Sequence, residues 1–196
     1  MDSDGNLYGV TLLGGAHNLG AVYRLAPPST QGAPWTESVL YSFSGPDGSS
    51  PFGRLLLDRT GALFGVTNGG GALEEGTVFK LAPQAGDVWT EEVLYNFSGG
   101  SDGGNPSAGV IMGGNGRLFG TASTGGDGGP DFGGVVFSLD PPTVDGGAWS
   151  ETVLHSFGGP DGFRPLCRLV ARNGLLYGTT SAGGLNGTGT VFVLTQ

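Results

Sequence analysis

Cysteine occurs once in this chain of 196 residues, at Cys167. An internal disulfide is therefore excluded, and so are metal frameworks that need several thiolates. Lysine also occurs once, at Lys80, and 8 cationic residues face 17 acidic ones, for a formal net charge of −9. Nucleic acid and anionic membrane surfaces both require a cationic footprint, so neither is expected as a partner. No apolar run reaches the ~18 residues of a membrane-spanning helix, and the N-terminus lacks a basic-then-apolar leader pattern, so membrane insertion is not expected. Histidine occurs only as His17 and His155, and neither has a recognisable serine or cysteine nucleophile motif beside it. No stretch sustains a 3.6-residue period, because glycine interrupts every window long enough for a helix, so helices should be nearly absent.

Glycine is abundant, with 42 residues, and 12 prolines accompany it. Such a content is compatible with disorder. Here the glycines alternate with short runs of Val, Leu, Phe and Tyr, and hydrophobic residues make up 37% of the chain, enough for a packed core. The pattern reads as short strands joined by tight turns.

The runs recur. "LYGVTLLGGAHNLGAVYRL" at 7–25 returns as "LFGVTNGGGALEEGTVFKL" at 63–81, "LFGTASTGGDGGPDFGGVVFSL" at 118–139 and "LYGTTSAGGLNGTGTVFVL" at 176–194. Repeats thus start near 7, 63, 118 and 176, a spacing of about 55 residues. Between them recur "WTESVLYSF", "WTEEVLYNF" and "WSETVLHSF", each followed by an Asp-Gly loop and a further apolar run. One complete unit holds four strands, called A ("GRLLLD"), B ("LFGVT"), C ("GTVFKL") and D ("EEVLYNF") here. Their alternation has a period of two. The fold class expected is all-β, a β-propeller-like array of four-stranded antiparallel blades within a single repeat domain spanning 1–196. A β-solenoid is the alternative, although solenoid coils are usually shorter. The first unit lacks strand A and the last lacks strand D. Bare edges of that kind invite pairing, so a homo-oligomer joined through open blade edges is one expectation.

These segments, with the "GxDG…P" loop and "VLYSF", resemble the GloVer tandem repeat over essentially the whole chain. The resemblance implies an extracellular or cell-surface bacterial protein with a propeller-like fold. It brings no established catalytic or binding residues. The third copy departs from the pattern, its B–C segment being three residues longer. Because the chain opens inside the repeat, it is expected to come from a longer gene product.

Positions filled alike in every copy point to shared packing, so contact residues are sought where copies disagree. Trp35, Trp89 and Trp149 recur before strand D and are expected to pack between blades rather than to stack on sugars. Glu37, Glu91 and Glu151 recur two residues later; a glycosidase carboxylate pair is the sharper reading, a repeated hydrogen bond or solvated face the simpler one. Asp47, Asp102 and Asp161 precede the loop glycine and are expected to cap backbone N–H groups. Calcium at these loops, or at Asp2, Asp4 and Asn6, is possible but short of oxygen ligands, so neither a metal nor another cofactor is expected. His155 replaces a tyrosine and reads as a substituted core or interface ring. Cys167 reads as a buried inert thiol. The glycine runs lack the Gly-Lys-Ser/Thr of a phosphate loop. Asn96 and Asn186 match short glycosylation patterns that arise readily by chance.

The copies disagree most in the B–C loop, which holds His17, Asn18, Glu74, Glu75, Asp127, Asp131 and Asn186. In an A-B-C-D meander the B–C and D–A links emerge on one rim. That rim also carries Asp47, Asp102, Asp161 and Arg164. Variable polar loops on a rigid scaffold are where binding usually resides. The expected function is therefore a secreted or cell-surface binding and scaffold module, for a glycan or another surface polymer. The alternatives are a polysaccharide hydrolase or lyase using Glu74, Glu75, Asp127 or Asp131, and a purely structural, oligomerising unit.

Overall fold

A computed structural model of the chain describes residues 1–127, 133–144 and 146–196. The strands form four antiparallel sheets that follow one another along the chain. Sheet I holds β1 (Leu7–Thr11), β2 (Ala21–Ala26) and β3 (Thr36–Ser42). Sheet II holds β4 (Ser49–Leu57), β5 (Leu63–Gly69), β6 (Thr77–Pro83) and β7 (Trp89–Asn96). Sheet III holds β8 (Gly104–Pro106), β9 (Ile111–Met112), β10 (Leu118–Thr124), β11 (Val135–Asp140) and β12 (Ser150–Ser156). Sheet IV holds β13 (Val170–Arg172), β14 (Leu175–Thr179) and β15 (Val191–Thr195). The only helical turn among the described residues is a 3-10 turn at Gly114–Gly116.

The A-B-C-D meander read from the sequence is present, with one difference. The A strand of the third unit is interrupted between Pro106 and Ile111, giving β8 and β9, which both pair with β10. The interruption falls where the equivalent strand β4 is already irregular, between Phe52 and Leu56. Every strand pairing is antiparallel and stays within one sheet, whereas the coils of a solenoid would pair across repeats.

The register is the same in each sheet. Leu7, Leu63, Leu118 and Leu176 stand opposite Leu25, Leu81, Leu139 and Leu194. Two residues on, Gly9, Gly65, Gly120 and Gly178 stand opposite Tyr23, Phe79, Phe137 and Phe192. A Cβ at any of these glycines would overlap the aromatic ring lying across it. The glycine of "LYG" and "LFG" is therefore a packing requirement rather than a turn.

Three hydrophobic clusters fill the gaps between successive sheets. Val22 and Phe43 of the first unit meet Leu63, Phe79 and Leu81 of sheet II. Phe64, Val66, Val78 and Phe97 meet Leu118, Phe137 and Leu139 of sheet III. Ile111, Phe119, Val136 and Phe157 meet Leu169 and Leu176, with Phe192 and Leu194 alongside. Each gap is also crossed by the same ladder of three rings. Tyr41–Phe43–Phe79 has centroid separations of 5.3 and 5.1 Å. Tyr95–Phe97–Phe137 has 5.1 and 5.1 Å, and His155–Phe157–Phe192 has 4.7 and 5.0 Å. His155 is thus an interface ring, as its replacement of tyrosine suggested. The first five contacts are edge-to-face, which adds to burial, and Phe157–Phe192 is tilted at 60°.

Candidate functional site

The B–C and D–A loops lie along one rim and are joined by backbone hydrogen bonds. Each D–A loop sits between the B–C loop before it and the B–C loop after it. The N–H of Ser50 donates to Leu19 O at 2.8 Å, and Gly71 N–H donates to Gly45 O at 2.8 Å. The pair repeats as Asn105 to Glu75 (2.8 Å) and Gly126 to Gly100 (2.9 Å). It repeats again as Arg164 to Gly133 (2.8 Å) and Gly184 to Gly159 (2.9 Å). Ser50, Asn105 and Arg164 hold the same left-handed backbone, with φ of 52°, 51° and 53°. Each is followed by a proline, Pro51, Pro106 or Pro165, so that geometry is an uncommon one for a non-glycine residue.

The first, second and fourth B–C loops share a backbone turn and differ at their tips. Asn18, Glu74 and Gly187 all have positive φ, at 60°, 63° and 72°. Just before them stand His17, Leu73 and Asn186, all exposed. Leu73 and Leu185 are large apolar residues at 56% and 99% exposure, which makes the tips more apolar than the acidic residues alone suggested. Glu74 is exposed, while Glu75 is half-buried against Gly99 and Gly104 of the next D–A loop. Leu19 takes the same place against Gly45. Asp127 is exposed at the start of the third B–C loop; Asp131 lies outside the described residues. Arg164 combines an exposed side chain with a backbone engaged on both sides, its carbonyl accepting from the Ser181 N–H and hydroxyl.

The loop aspartates act as internal staples. Asp47 accepts from the Tyr41 hydroxyl and, at 2.9 Å, from both the N–H and hydroxyl of Ser44. Asp102 accepts from Tyr95 at 3.0 Å, from Ser98 N–H at 2.9 Å and from the Ser98 hydroxyl. Asp161 binds His155 Nε2 at 2.7 Å and accepts from Gly158 N–H at 3.0 Å. Burial alone would raise the carboxyls of Asp47 and Asp161, but these donors outweigh it and hold both below the ordinary range. Burial first, then the Asp47 and Asp102 bonds, raise the Tyr41 and Tyr95 phenols. Each of these carboxylates thus has at least two donors from its own unit. At the N-terminal turn, Asp2 likewise accepts from Asp4 and Asn6 N–H, Asn6 Nδ2 and the Tyr8 hydroxyl. Asp102→Ala is expected to destabilise the chain by about 1–2 kcal/mol by orphaning Tyr95 and Ser98. Accelerated amide exchange at Ser98 and a lower denaturant midpoint would register it.

Two groups of residues gain their significance only from the tertiary structure. Glu91 and Glu151 each bury one carboxylate oxygen without a partner. Burial, and then the charges of Asp47 and Glu92, push Glu91 up to about 7. Burial, and then Asp102, do the same to Glu151, also to about 7. Trp89 packs into the gap between sheets I and II, edge-on to Tyr8 at 6.2 Å, and Trp149 into the next gap. Their first-unit counterparts Trp35 and Glu37 are exposed. The tryptophans are thus packing residues wherever a preceding sheet covers them. The second group is Arg54 and Arg168, which occupy equivalent places in their units and line one cavity of about 260 Å³ with Tyr8 and Met1. Arg168 Nε is buried without a partner, and burial followed by the Arg54 charge lowers its basicity. Repeat alignment pairs Arg54 with Arg168 across the copies, but not their approach in space. Cys167 is half-buried rather than buried, and its sulfur accepts from Thr179 N–H at 2.9 Å.

The fold and rim define an all-β repeat protein built from one antiparallel unit used four times. Residues 1–192 match the profile of the Gloeobacter/Verrucomicrobia repeat, and the chain belongs to that family. No curated protein matches the chain.

Proposed function

We propose that the chain is a propeller-like binding and scaffold module of the bacterial exterior, whose B–C and D–A rim contacts a glycan or another surface polymer. The blade reading is supported by three like interfaces between successive meanders, each crossed by the same ring ladder. The observation that carries the functional reading is the run of backbone bonds along the rim. It ties the described parts of the B–C loops to the D–A loops between them, while the loop residues differ from copy to copy. Such an arrangement suits contact with an extended ligand that spans several loops. The exposed leucines at the tips would lie on the apolar faces of sugar rings, and Asn18, Glu74 and Asn186 would reach their hydroxyls.

The test uses affinity electrophoresis through gels containing an acidic polysaccharide (alginate) or a neutral one (dextran), with peptidoglycan pull-down beside them. The parent chain is expected to be retained by at least one. Replacing 16–18, 72–74 and 185–187 by Gly/Ser tips, with the left-handed position kept as Gly, should leave the circular dichroism and melting unchanged and abolish retention. Unchanged retention by that variant would remove the rim from the reading. Absence of retention by all three polymers would remove glycans from it.

A further inference from the structure

The A segments of the second, third and fourth units carry matching positions three places after their prolines. These are Arg54 after Pro51, Gly109 after Pro106 and Arg168 after Pro165. The three positions draw together in space. Arg54 lies where β4 leaves its register with β5, between Phe52 and Leu56. A Cβ on Gly109 would overlap the Arg54 carbonyl oxygen, so the two backbones touch and the third copy holds glycine, with φ of 74°. Arg168 enters from the segment before β13. The carbonyl of Cys167 accepts from the Thr121 hydroxyl of β10 at 3.1 Å, and its sulfur accepts from Thr179 N–H, so the backbone leading to Arg168 is anchored on both sides.

Arg54 and Arg168 line one cavity of about 260 Å³, beside Leu55, Leu57, Leu63 and Tyr8. Other cations of the chain have carboxylates: Arg24 has Asp87, Lys80 has Glu92 and Arg117 has Asp140. Among the described residues, neither Arg54 nor Arg168 pairs with one, and no acidic side chain lines their cavity. Asp2, which accepts from the Tyr8 hydroxyl, forms no ion pair with either. Arg168 Nε is buried with no acceptor. Two like charges at one cavity, one of them half-buried and unpaired, work against the fold by themselves. They do so in a chain whose 17 acidic residues could have supplied a partner. An anion between the two guanidiniums would relieve both the repulsion and the unmet donor.

We infer that the Arg54–Arg168 cavity binds a doubly charged oxyanion group, clamped between the two guanidiniums. The planar fork of arginine matches paired oxygens, and two cations match two negative charges. The volume lies below the roughly 300 Å³ of the smallest drug-sized pockets. The site therefore takes one compact group (phosphate, sulfate or a small dicarboxylate) rather than a polymer. It lies at the A–B end of sheet II, where Leu57 stands opposite Leu63, and not among the B–C and D–A loops. It is thus independent of the reading of the rim.

Isothermal titration of the 196-residue chain tests it. The probes are inorganic phosphate, sulfate and succinate, each at pH 8 and at a constant ionic strength of about 0.15 M made up with chloride. At least one should show saturable binding at one site per chain. Preference for phosphate and sulfate over succinate, or the reverse, tells a tetrahedral group from a dicarboxylate. Arg54→Gln and Arg168→Gln should each weaken that binding by about tenfold or more, since each removes a charge-assisted contact. Arg172→Gln, exposed on β13 and outside the cavity, should leave it unchanged. Arg54 is itself exposed, so Arg54→Gln should keep the circular dichroism of the parent and decides the question even where Arg168→Gln does not fold. Absence of saturable binding by all three probes would overturn the inference. So would binding that Arg54→Gln retains in full, because the anion would then sit elsewhere on the surface.

Discussion

Phe97→Ala is expected to lower the unfolding free energy by about 3–5 kcal/mol. Phe97 is 0% exposed and is the middle ring of the ladder that joins sheet II to sheet III. Its removal deletes two edge-on contacts and leaves a cavity in the largest cluster, where the surrounding strands are fixed by their own ladders. The gap therefore collapses little. Phe97→Leu keeps much of the volume and should cost less, about half as much or below. Denaturant melts followed by far-ultraviolet circular dichroism would measure both. A Phe97→Ala loss below about 1 kcal/mol would mean that the sheets are not held through this ladder.

The second prediction concerns pH. Glu91 and Glu151 have an ordinary carboxyl value of 4.5 and are pushed up to about 7 in the folded chain. The folded state therefore binds protons more tightly than the unfolded one between these values. Stability is full below about 4.5 and falls as pH rises through about 7. Both side chains keep partial access to solvent, which reduces the effect to about 1–2 kcal/mol for each. Asp47 and Asp161 act in the opposite sense. Their carboxyls lie below the ordinary 3.8, so their contribution is present above that value and is lost as pH falls through the lower folded ones. Maximum stability is thus expected near pH 4–5. Glu91→Gln with Glu151→Gln should flatten the decline between pH 5 and 8 and stabilise the chain at pH 8. Equal denaturant midpoints for the parent at pH 5 and pH 8 would refute the assignment. The same carboxyls, read from sequence alone, were candidates for a glycosidase pair. In the fold they belong to two successive interfaces, each beside the preceding unit's tyrosine and aspartate.

Much of this architecture was legible before any coordinate. Period-two runs bounded by glycine fix strands and hairpins locally, because side-chain alternation and turn chemistry act over a few residues. The fourfold recurrence fixed the unit, and the meander fixed which loops share a rim. The loop aspartates were legible as caps for the same local reason, since each donor lies within seven residues of its carboxylate. The interruption between β8 and β9 was not legible, since it depends on how an irregular strand meets the next sheet.

What the amino-acid sequence determined by itself is the repeating unit, its strands, its hairpins and its variable tips, all consequences of short-range pattern. Only the tertiary structure decided which copy of each residue is covered. Trp35 and Trp89, Val191 and Val78, and Glu37 and Glu91 are alike or identical in type and in local setting. They differ because burial depends on the neighbouring sheet, and a neighbour is present on one side only at each end of the stack. The raised carboxyls of Glu91 and Glu151 follow from that difference.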